Sequence, residues 1–508
     1  MSPEFSSALA VFGTASDVGK SLMTAAFCRL LRDDGYSVAP FKAQNMSNNS
    51  YVALDGGEIG RAQYVQAIAA RTEPSVHHNP VLLKPSADDF SQLIVHGQAV
   101  GRVQARAYFE DTEPLRRLAF QSLARLQQQH DVVVLEGAGS CAEVNLRARE
   151  FVNFPAAHQA HARVVLVADI DRGGVFAQIV GSLAVMPDED RARVSGIIVN
   201  KFRGDRSLFD DGVAYLERHT GLPILGVVPY EYGLDLDSED AVPLTVALDP
   251  PVGADADKLK IAVLRLPHIS NFTDFDALAR VPSVAVHYIY RARPLGDYAA
   301  VVLPGSKNVA ADLGWLRQSG LFESVLQYHR AGGKLVGICG GLQMLGTRIV
   351  DAEGIESNER EVAGFGLIDA VTELRQPKLV RRVQGAFLAS GIAVTGYEIH
   401  LGRTSYAQPS PLLVLDVDGE AVVDGVLDVS RRTWATYLHG VFDEAPARQA
   451  FLRWVDPSST QREVGPDRIE WVDEQLDAFA AHIRKHVDWG LVRSWLTDAV
   501  ASRREPRG

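Results

Sequence analysis

Cysteine is scarce in this chain of 508 residues: Cys28, Cys141 and Cys339 are widely spaced, form no C-x-x-C pair and are too few to staple so long a protein. A disulfide framework is therefore excluded, and a reducing cytoplasm is the expected compartment. Positive charge is also short, with 51 Lys and Arg against 63 Asp and Glu, a net charge of −12. That balance argues against a general role in neutralising nucleic-acid phosphates or anionic lipid. No run approaches the ~18 apolar residues needed to cross a bilayer, and the opening MSPEFSSALAVFG lacks the basic start of a secretory signal. Neither nucleic acid nor membrane is expected as a partner. The adjacent His77 and His78 have no metal-ligand spacing around them, so a His/Cys metal site is not expected either.

What is present is ordinary globular material, 46% hydrophobic and 22% charged, in a length that corresponds to two or three domains at roughly 150 residues each. The first half alternates short β-branched apolar runs with amphipathic stretches, the sequence pattern of a parallel sheet covered by helices on both faces. Strands are predicted at 8–12, 37–41, 132–135, 164–168, 196–200 and 224–228, with helices at 21–32 and 113–129. The rhythm breaks between Glu231 and Lys258, where LDLDSED, Pro250-Pro251 and GADADK mark a boundary. The expected division is a domain over 1–245, a linker over 246–258, a second α/β domain over 259–445 and a helical appendage over 446–508.

After the first predicted strand comes Gly13-Thr14-Ala15-Ser16-Asp17-Val18-Gly19-Lys20-Ser21, opening a helix. Backbone N–H groups of such a loop close around phosphate oxygens, the helix N-terminus adds partial positive charge, Lys20 reaches the outer phosphates and Ser21 is placed to ligate Mg²⁺. Five residues separate the glycines where the ordinary P-loop has four, so this is a variant loop. Glu136 ends the strand in VVVLEGAGS, where a carboxylate can hold Mg²⁺ or its water, and Lys42 ends the strand before AQNMSNNS as a second cation for the γ-phosphate. Asp169 and Asp171 end another strand in VADIDRGG. The loop resembles that of the dethiobiotin synthetase-like ATPases; the resemblance implies ATP as substrate and gives Asn200-Lys201 a place in base binding.

In the second half, GKLVGICGGLQMLG runs a strand into Gly337-Ile338-Cys339-Gly340-Gly341 and then a helix. Small neighbours permit the sharp turn that exposes a nucleophile, and the helix start favours thiolate while Gly340 presents backbone to an oxyanion. A second turn, Leu303-Pro304-Gly305-Ser306, follows the preceding strand and offers another N–H at Gly305. His439, in the predicted strand 433–442, is the expected general base. Residues 260–442 resemble the class I glutamine amidotransferases, which release ammonia from glutamine; by that resemblance Tyr397 and His400 of GYEIHLGRT shape the glutamine pocket. The family's Glu two residues after the histidine is replaced here by Val441, leaving Asp443 and Glu444 as the nearby acids to orient the ring.

Ammonia production beside an ATP site fits an amidoligase, in which a phosphorylated carboxylate is displaced by ammonia. The ordered motifs GTASDVGKS, FKAQNMSNNS, GEIGRAQ, EGAGSCAEVNL, LPHISNFTDFDAL, GICGG, GYEIHLGRT and YLHGVF resemble the corrinoid-amidating cobyric acid synthase family along residues 8–445. The resemblance implies an α/β P-loop NTPase-like domain joined to a glutamine amidotransferase-like domain, and ATP, Mg²⁺, glutamine and a corrinoid as small-molecule partners. It also implies amidation of the b, d, e and g carboxylates of adenosylcobyrinic acid a,c-diamide. The sister a,c-diamide synthase and a partner-switching P-loop ATPase with an inert second domain are the alternatives; intact Cys339 and His439 argue against the latter. Residues 44–50 and 143–153 flank the phosphate loops and are the expected corrin-lining segments. Oligomeric state is left open.

Overall fold

The computed structural model describes residues 7–504 except 88–89, 235, 237–254, 358, 429, 431 and 459–461. Most of the expected linker lies outside the described residues; the chain resumes in a turn at 255–258.

The first sheet consists of Ser7–Gly13 (β1), Val38–Phe41 (β2), Val132–Glu136 (β3), Arg163–Asp169 (β4), Val194–Phe202 (β5) and Ile224–Pro229 (β6). All pairings are parallel and the order is β6-β5-β4-β1-β3-β2. The near-continuous Val, Ile, Leu and Ala composition of these strands follows from burial on both faces, with Leu9, Val11, Val133 and Leu166 wholly inaccessible. Helices Lys20–Asp33 (α1), Arg61–Ala69 (α2) and Glu113–Gln129 (α3) belong to this half. The chain leaves β1 between its neighbours β3 and β4, where the strand order reverses, and this switch point puts the 13–19 loop in a crevice at the strands' carboxyl ends.

The second sheet, Leu259–Leu264 (β7), Val284–Ile289 (β8), Ala300–Leu303 (β9), Leu335–Ile338 (β10), Val426–Asp428 (β11) and Thr433–Thr436 (β12), has the order β8-β7-β9-β10-β12-β11. It is parallel except for the last pair. The predicted strand 433–442 is shorter than expected: it ends at Thr436, whose hydroxyl bonds Asp424 and accepts Leu438 N–H, turning the chain away. Two long antiparallel strands, Ala370–Phe387 and Ala393–Tyr406, form a ribbon that reaches the first half. There Tyr51 and Val52 share a small core with Tyr397 and Ile399.

The C-terminal region, expected as one appendage, divides between the halves. Helix α4 (Ala445–Val455) buries Ala447, Phe451 and Leu452 in the second core. Helices α5 (Arg468–His486) and α6 (Trp489–Arg504) return to the first, where Val472, Leu476, Ile483 and Trp489 pack with Leu9, Val11 and Phe27. The fully buried Arg29 fixes this return: its guanidinium bonds Asp473 and Asp477 of α5 as well as the Ala69 carbonyl. Among the described residues no helix is long and apolar enough to cross a membrane.

Candidate functional site

The phosphate loop is folded as its glycines require. Gly13 has no room for a side chain, since a Cβ would lie 2.7 Å from Val18 and 2.9 Å from the Ala15 carbonyl. Gly19 opens α1 at φ 98°, a left-handed conformation favoured by glycine, and a Cβ there would meet Asn200 at 2.5 Å. Thr14 bonds Gln178 across the loop, and Asp17 is also left-handed at φ 59°. Lys20 Nζ donates to the carbonyls of Ala15 and Gly139 at 2.9 and 2.8 Å, spanning the loop's mouth. Asn200 and Lys201, expected at the base, engage the loop itself. Asn200 Nδ2 donates to Val18 O at 2.9 Å, while Lys201 bonds Asp17 O and pairs with Asp169 at 2.9 Å. Asp171 faces Arg203 at the surface.

Glu136 is the hub of this site. It is 1% exposed, and its Oε1 accepts from Ser21 Oγ at 2.8 Å and from Lys42 Nζ at 2.9 Å. Its Oε2 accepts from Gln63 at 3.2 Å and Gln66 at 2.5 Å, both on α2. A buried carboxylate beside a hydroxyl at the head of a helix is a hard oxygen donor set suited to a divalent cation. The described residues contain no cluster of three or more His, Cys, Asp or Glu able to hold a metal, so such an ion would take its other ligands from phosphate and water.

The segments 44–50 and 143–153 differ from one another. Residues 44–46 pair with the strand Val81–Ala87 and Asn45 bonds Gln63, while Ser50 N donates to Asn271 Oδ1 of the second half at 3.1 Å, so the end of the 44–50 stretch sits at the junction between the halves. From the 143–153 segment, Glu143, Val144, Arg147, Glu150 and Asn153 line a depression with Ser140, Cys141 and Met186.

In the second half, strand ends bring together residues far apart in sequence. Cys339 follows β10 at φ 50°, ψ −106°, the sharp conformation of a nucleophile elbow. Its neighbours are constrained by contact: a Cβ at Gly341 would sit 1.9 Å from the Leu303 carbonyl, and one at Gly340 would sit 2.9 Å from Ser306 N. The Gly305 turn therefore lies directly against the start of the helix after Cys339. Gly305 also faces His439, whose Cε1 would be 3.2 Å from a Cβ there.

His439 is 1% exposed and its Nδ1 lies 2.7 Å from Asp274 Oδ2, while Asp274 Oδ1 accepts Gly440 N–H at 3.0 Å. The orienting acid is thus Asp274; Asp443 faces Arg468 at 3.8 Å and Glu444 accepts from Thr395. Burial alone would pull the imidazole down, but the Asp274 carboxylate and the Cys339 sulfur outweigh it and raise the ring to about 10. The site therefore favours an imidazolium beside the sulfur over a neutral base. Tyr397 stacks on the His439 ring, with centroids 5.3 Å apart, and exchanges backbone hydrogen bonds with it at 2.9 and 3.1 Å. His400 lines the cavity that Cys339 faces, its Nδ1 2.8 Å from Gly402 O and its Nε2 3.2 Å from Glu398.

Residues 9–244 match the CobQ/CobB/MinD/ParA nucleotide binding domain, and residues 260–447 match the CobB/CobQ-like glutamine amidotransferase domain. A cobyric acid synthase of Chlorobium phaeobacteroides (strain BS1) is 49% identical over 488 residues, covering 95% of this chain and 98% of that one. The chain belongs to the cobyric acid synthase family. Cobyric acid synthases of Chlorobaculum tepidum, 50% identical over 88% of this chain and 90% of its own, and of Nocardia farcinica, 46% identical over 97% of each, are similar too. Membership makes the chain an ATP-dependent, glutamine-hydrolysing amidoligase.

An Asp274→Asn substitution tests the triad. The amide turns an N–H toward Nδ1, disfavouring the imidazolium, and glutamine hydrolysis is expected to fall about 10³-fold or more. In the parent, glutaminase activity is expected to fall as pH rises through about 10, where the raised imidazolium would give up its proton. Without the carboxylate the raising influence is removed, so any residual activity is lost at lower pH. A pH–rate profile of the two proteins checks the sign.

Proposed function

We propose that this chain converts adenosylcobyrinic acid a,c-diamide to adenosylcobyric acid, amidating carboxylates b, d, e and g with one ATP and one glutamine per amide. The observation that carries the reading is the Asp274–His439 pair beside the Cys339 turn in one half and the Lys20 loop in the other, in a chain related over nearly its whole length to cobyric acid synthases.

The glutaminase half supplies the nitrogen. Cys339 attacks the glutamine side-chain amide, and N–H groups at Gly340 and the adjoining Gly305 turn face the developing oxyanion. His439 gives its Nε2 proton to the departing ammonia, and Asp274 holds the ring for the transfer. Water then hydrolyses the thioester, with His439 accepting a proton. In the other half the 13–19 loop and Lys20 cradle the triphosphate, and the lysine charge stabilises the phosphoryl group as it passes to the substrate carboxylate. Ser21 and Glu136 would hold Mg²⁺, which supplies charge neutralisation on the phosphates. Ammonia displaces phosphate from the acyl phosphate to give the amide.

Mass spectrometry of the corrinoid after incubation with ATP, Mg²⁺ and glutamine tests the assignment. Four added amides are expected; two would reassign the chain to the sister reaction, and none would remove the reading. Glu136→Gln is expected to raise the Mg²⁺ concentration needed for half-maximal amidation about tenfold or more, since one formal charge leaves the donor set. An unchanged Mg²⁺ titration would place the ligand on another acid.

A further inference from the structure

The sequence stretch GEIGRAQ, residues 57–63, forms a continuous physical link between the two sites. It begins at Glu58, 1% exposed, in a short strand that ends at Gly60. Glu58 Oε1 meets Lys84 Nζ at 2.5 Å and Ser50 Oγ at 2.7 Å, and Oε2 meets Lys378 Nζ at 2.6 Å. Lys84 comes from the first half and Lys378 from the ribbon of the second, so this carboxylate clamps the halves together. Gln92 adds to the clamp, accepting from Lys378 and from Lys307 of the turn after Gly305 at 3.2 and 3.1 Å. Lys84, Lys307 and Lys378 all line the cavity that Cys339 faces. Burial pushes the Glu58 carboxyl up, but Lys378, Lys84 and Lys307 outweigh it and hold it well below the usual carboxylate range.

From Gly60 the chain enters α2 without a break. Arg61 places its guanidinium 4.9 Å from the ring centroids of both Tyr51 and Tyr64. Tyr51 packs on Tyr397 at 4.5 Å, and Tyr397 stacks on His439. Two and five residues on, Gln63 and Gln66 bond Glu136, and Gln66 Oε1 is buried with no hydrogen-bond partner among the described residues. Gln63 and Gln66 share this short helix with Arg61, and Glu58 stands three residues before Arg61 in the strand that ends at Gly60, so a displacement of the two glutamines passes to Arg61 and from it along the backbone to Glu58.

We propose that residues 58–66 couple phosphate-site occupancy to glutamine hydrolysis, with Glu58 as the positioning residue at the glutaminase end. Nucleotide entering beside Glu136 competes for the carboxylate that Gln63 and Gln66 now hold. Helix α2 shifts, Glu58 re-seats Lys84 and Lys378, and the wall of the Cys339 cavity and the Tyr397 face of His439 adjust with it. Ammonia is then released only when an acyl phosphate can form. The inference rests on the amidoligase reading given above.

The test measures glutamine hydrolysis with and without a non-hydrolysable ATP analogue, Mg²⁺ and the corrinoid, alongside amidation driven by ammonium. In the parent the additions are expected to stimulate hydrolysis about tenfold or more, a coupling within the range common for linked sites. Glu58→Gln is expected to reduce that stimulation to about twofold or less while ammonium-driven amidation persists. Glu58→Asp keeps the charge, and so the balance of the buried cluster, but shortens the reach between the two lysines; it is expected to show the same loss of stimulation. Retention of the parent's stimulation in either variant overturns the proposal, as does a parent that is not stimulated. Loss of ammonium-driven amidation in both variants makes Glu58 a structural residue and overturns it as well. A parent that amidates from neither nitrogen source is a different result, the failure of the amidoligase reading itself.

Discussion

Cys339→Ala is expected to lower amidation from glutamine by about 10³-fold or more and to leave amidation from concentrated ammonium within about twofold of the parent. The asymmetry follows from where the sulfur sits. Cys339 lies at the end of β10 in the second sheet, facing a cavity lined by Gln343 and His400, and touches none of the groups around Glu136. Its removal takes away the nucleophile that releases ammonia and nothing that activates the acceptor carboxylate. The substitution deletes one sulfur from a 6% exposed position without altering the sharp backbone turn, so folding is expected to survive. Parallel assays with glutamine and with ammonium, each reading corrinoid amide, decide the matter; loss of both in a folded protein would mean the two sites are not separable.

Lys20→Ala has the opposite signature, eliminating amidation from either nitrogen source by about 10³-fold or more. Lys20 Nζ sits between the Ala15 and Gly139 carbonyls, on the two loops that follow β1 and β3. A single positive charge at that mouth opposes the charge on the transferring phosphoryl group. Neither glutamine nor ammonium can act on a carboxylate that has not been phosphorylated. Residual glutamine hydrolysis measured without nucleotide is expected to persist, which separates this variant from Cys339→Ala. Ammonium-driven amidation at the parent rate would remove Lys20 from the reaction.

The motifs that sequence alone made legible are contiguous ones. Strand, loop and helix around Lys20, and strand, turn and helix around Cys339, each carry their chemistry within about a dozen residues, and periodicity placed the strands of the first sheet within one or two residues. Asp274 was hidden because it stands 165 residues from His439, on a short turn of 3₁₀ helix, and only the closing of the second sheet brings it to the ring. The available signal was the acid-bearing stretch HISNFTDFDAL, together with an apolar Val441 where a local acid was looked for. The Glu58 cluster was hidden for another reason: Lys84 and Lys378 are residue types that normally stay in water, and their burial becomes intelligible only when the two halves meet. Amphipathic patterning likewise revealed that α5 has an apolar face but carried no information on which core would receive it.

The return of α5 and α6 to the first core has a consequence for biosynthesis. Arg29 is partnered by Asp473 and Asp477, and Phe27 by Trp489, so a ribosome must deliver nearly the whole polypeptide before α1 can be covered. Until then the nascent nucleotide half presents an open apolar groove and a cation awaiting its carboxylates, the kind of surface that chaperones engage. The glutaminase half carries α5 and α6 at its C-terminal end, so its own folding shortens the effective loop that must close to bring them to that groove. In topological terms it is an insertion within the nucleotide half. A gene cut between the two sheets would thus encode one fragment lacking the last layer of its core and another carrying that layer with nothing to cover.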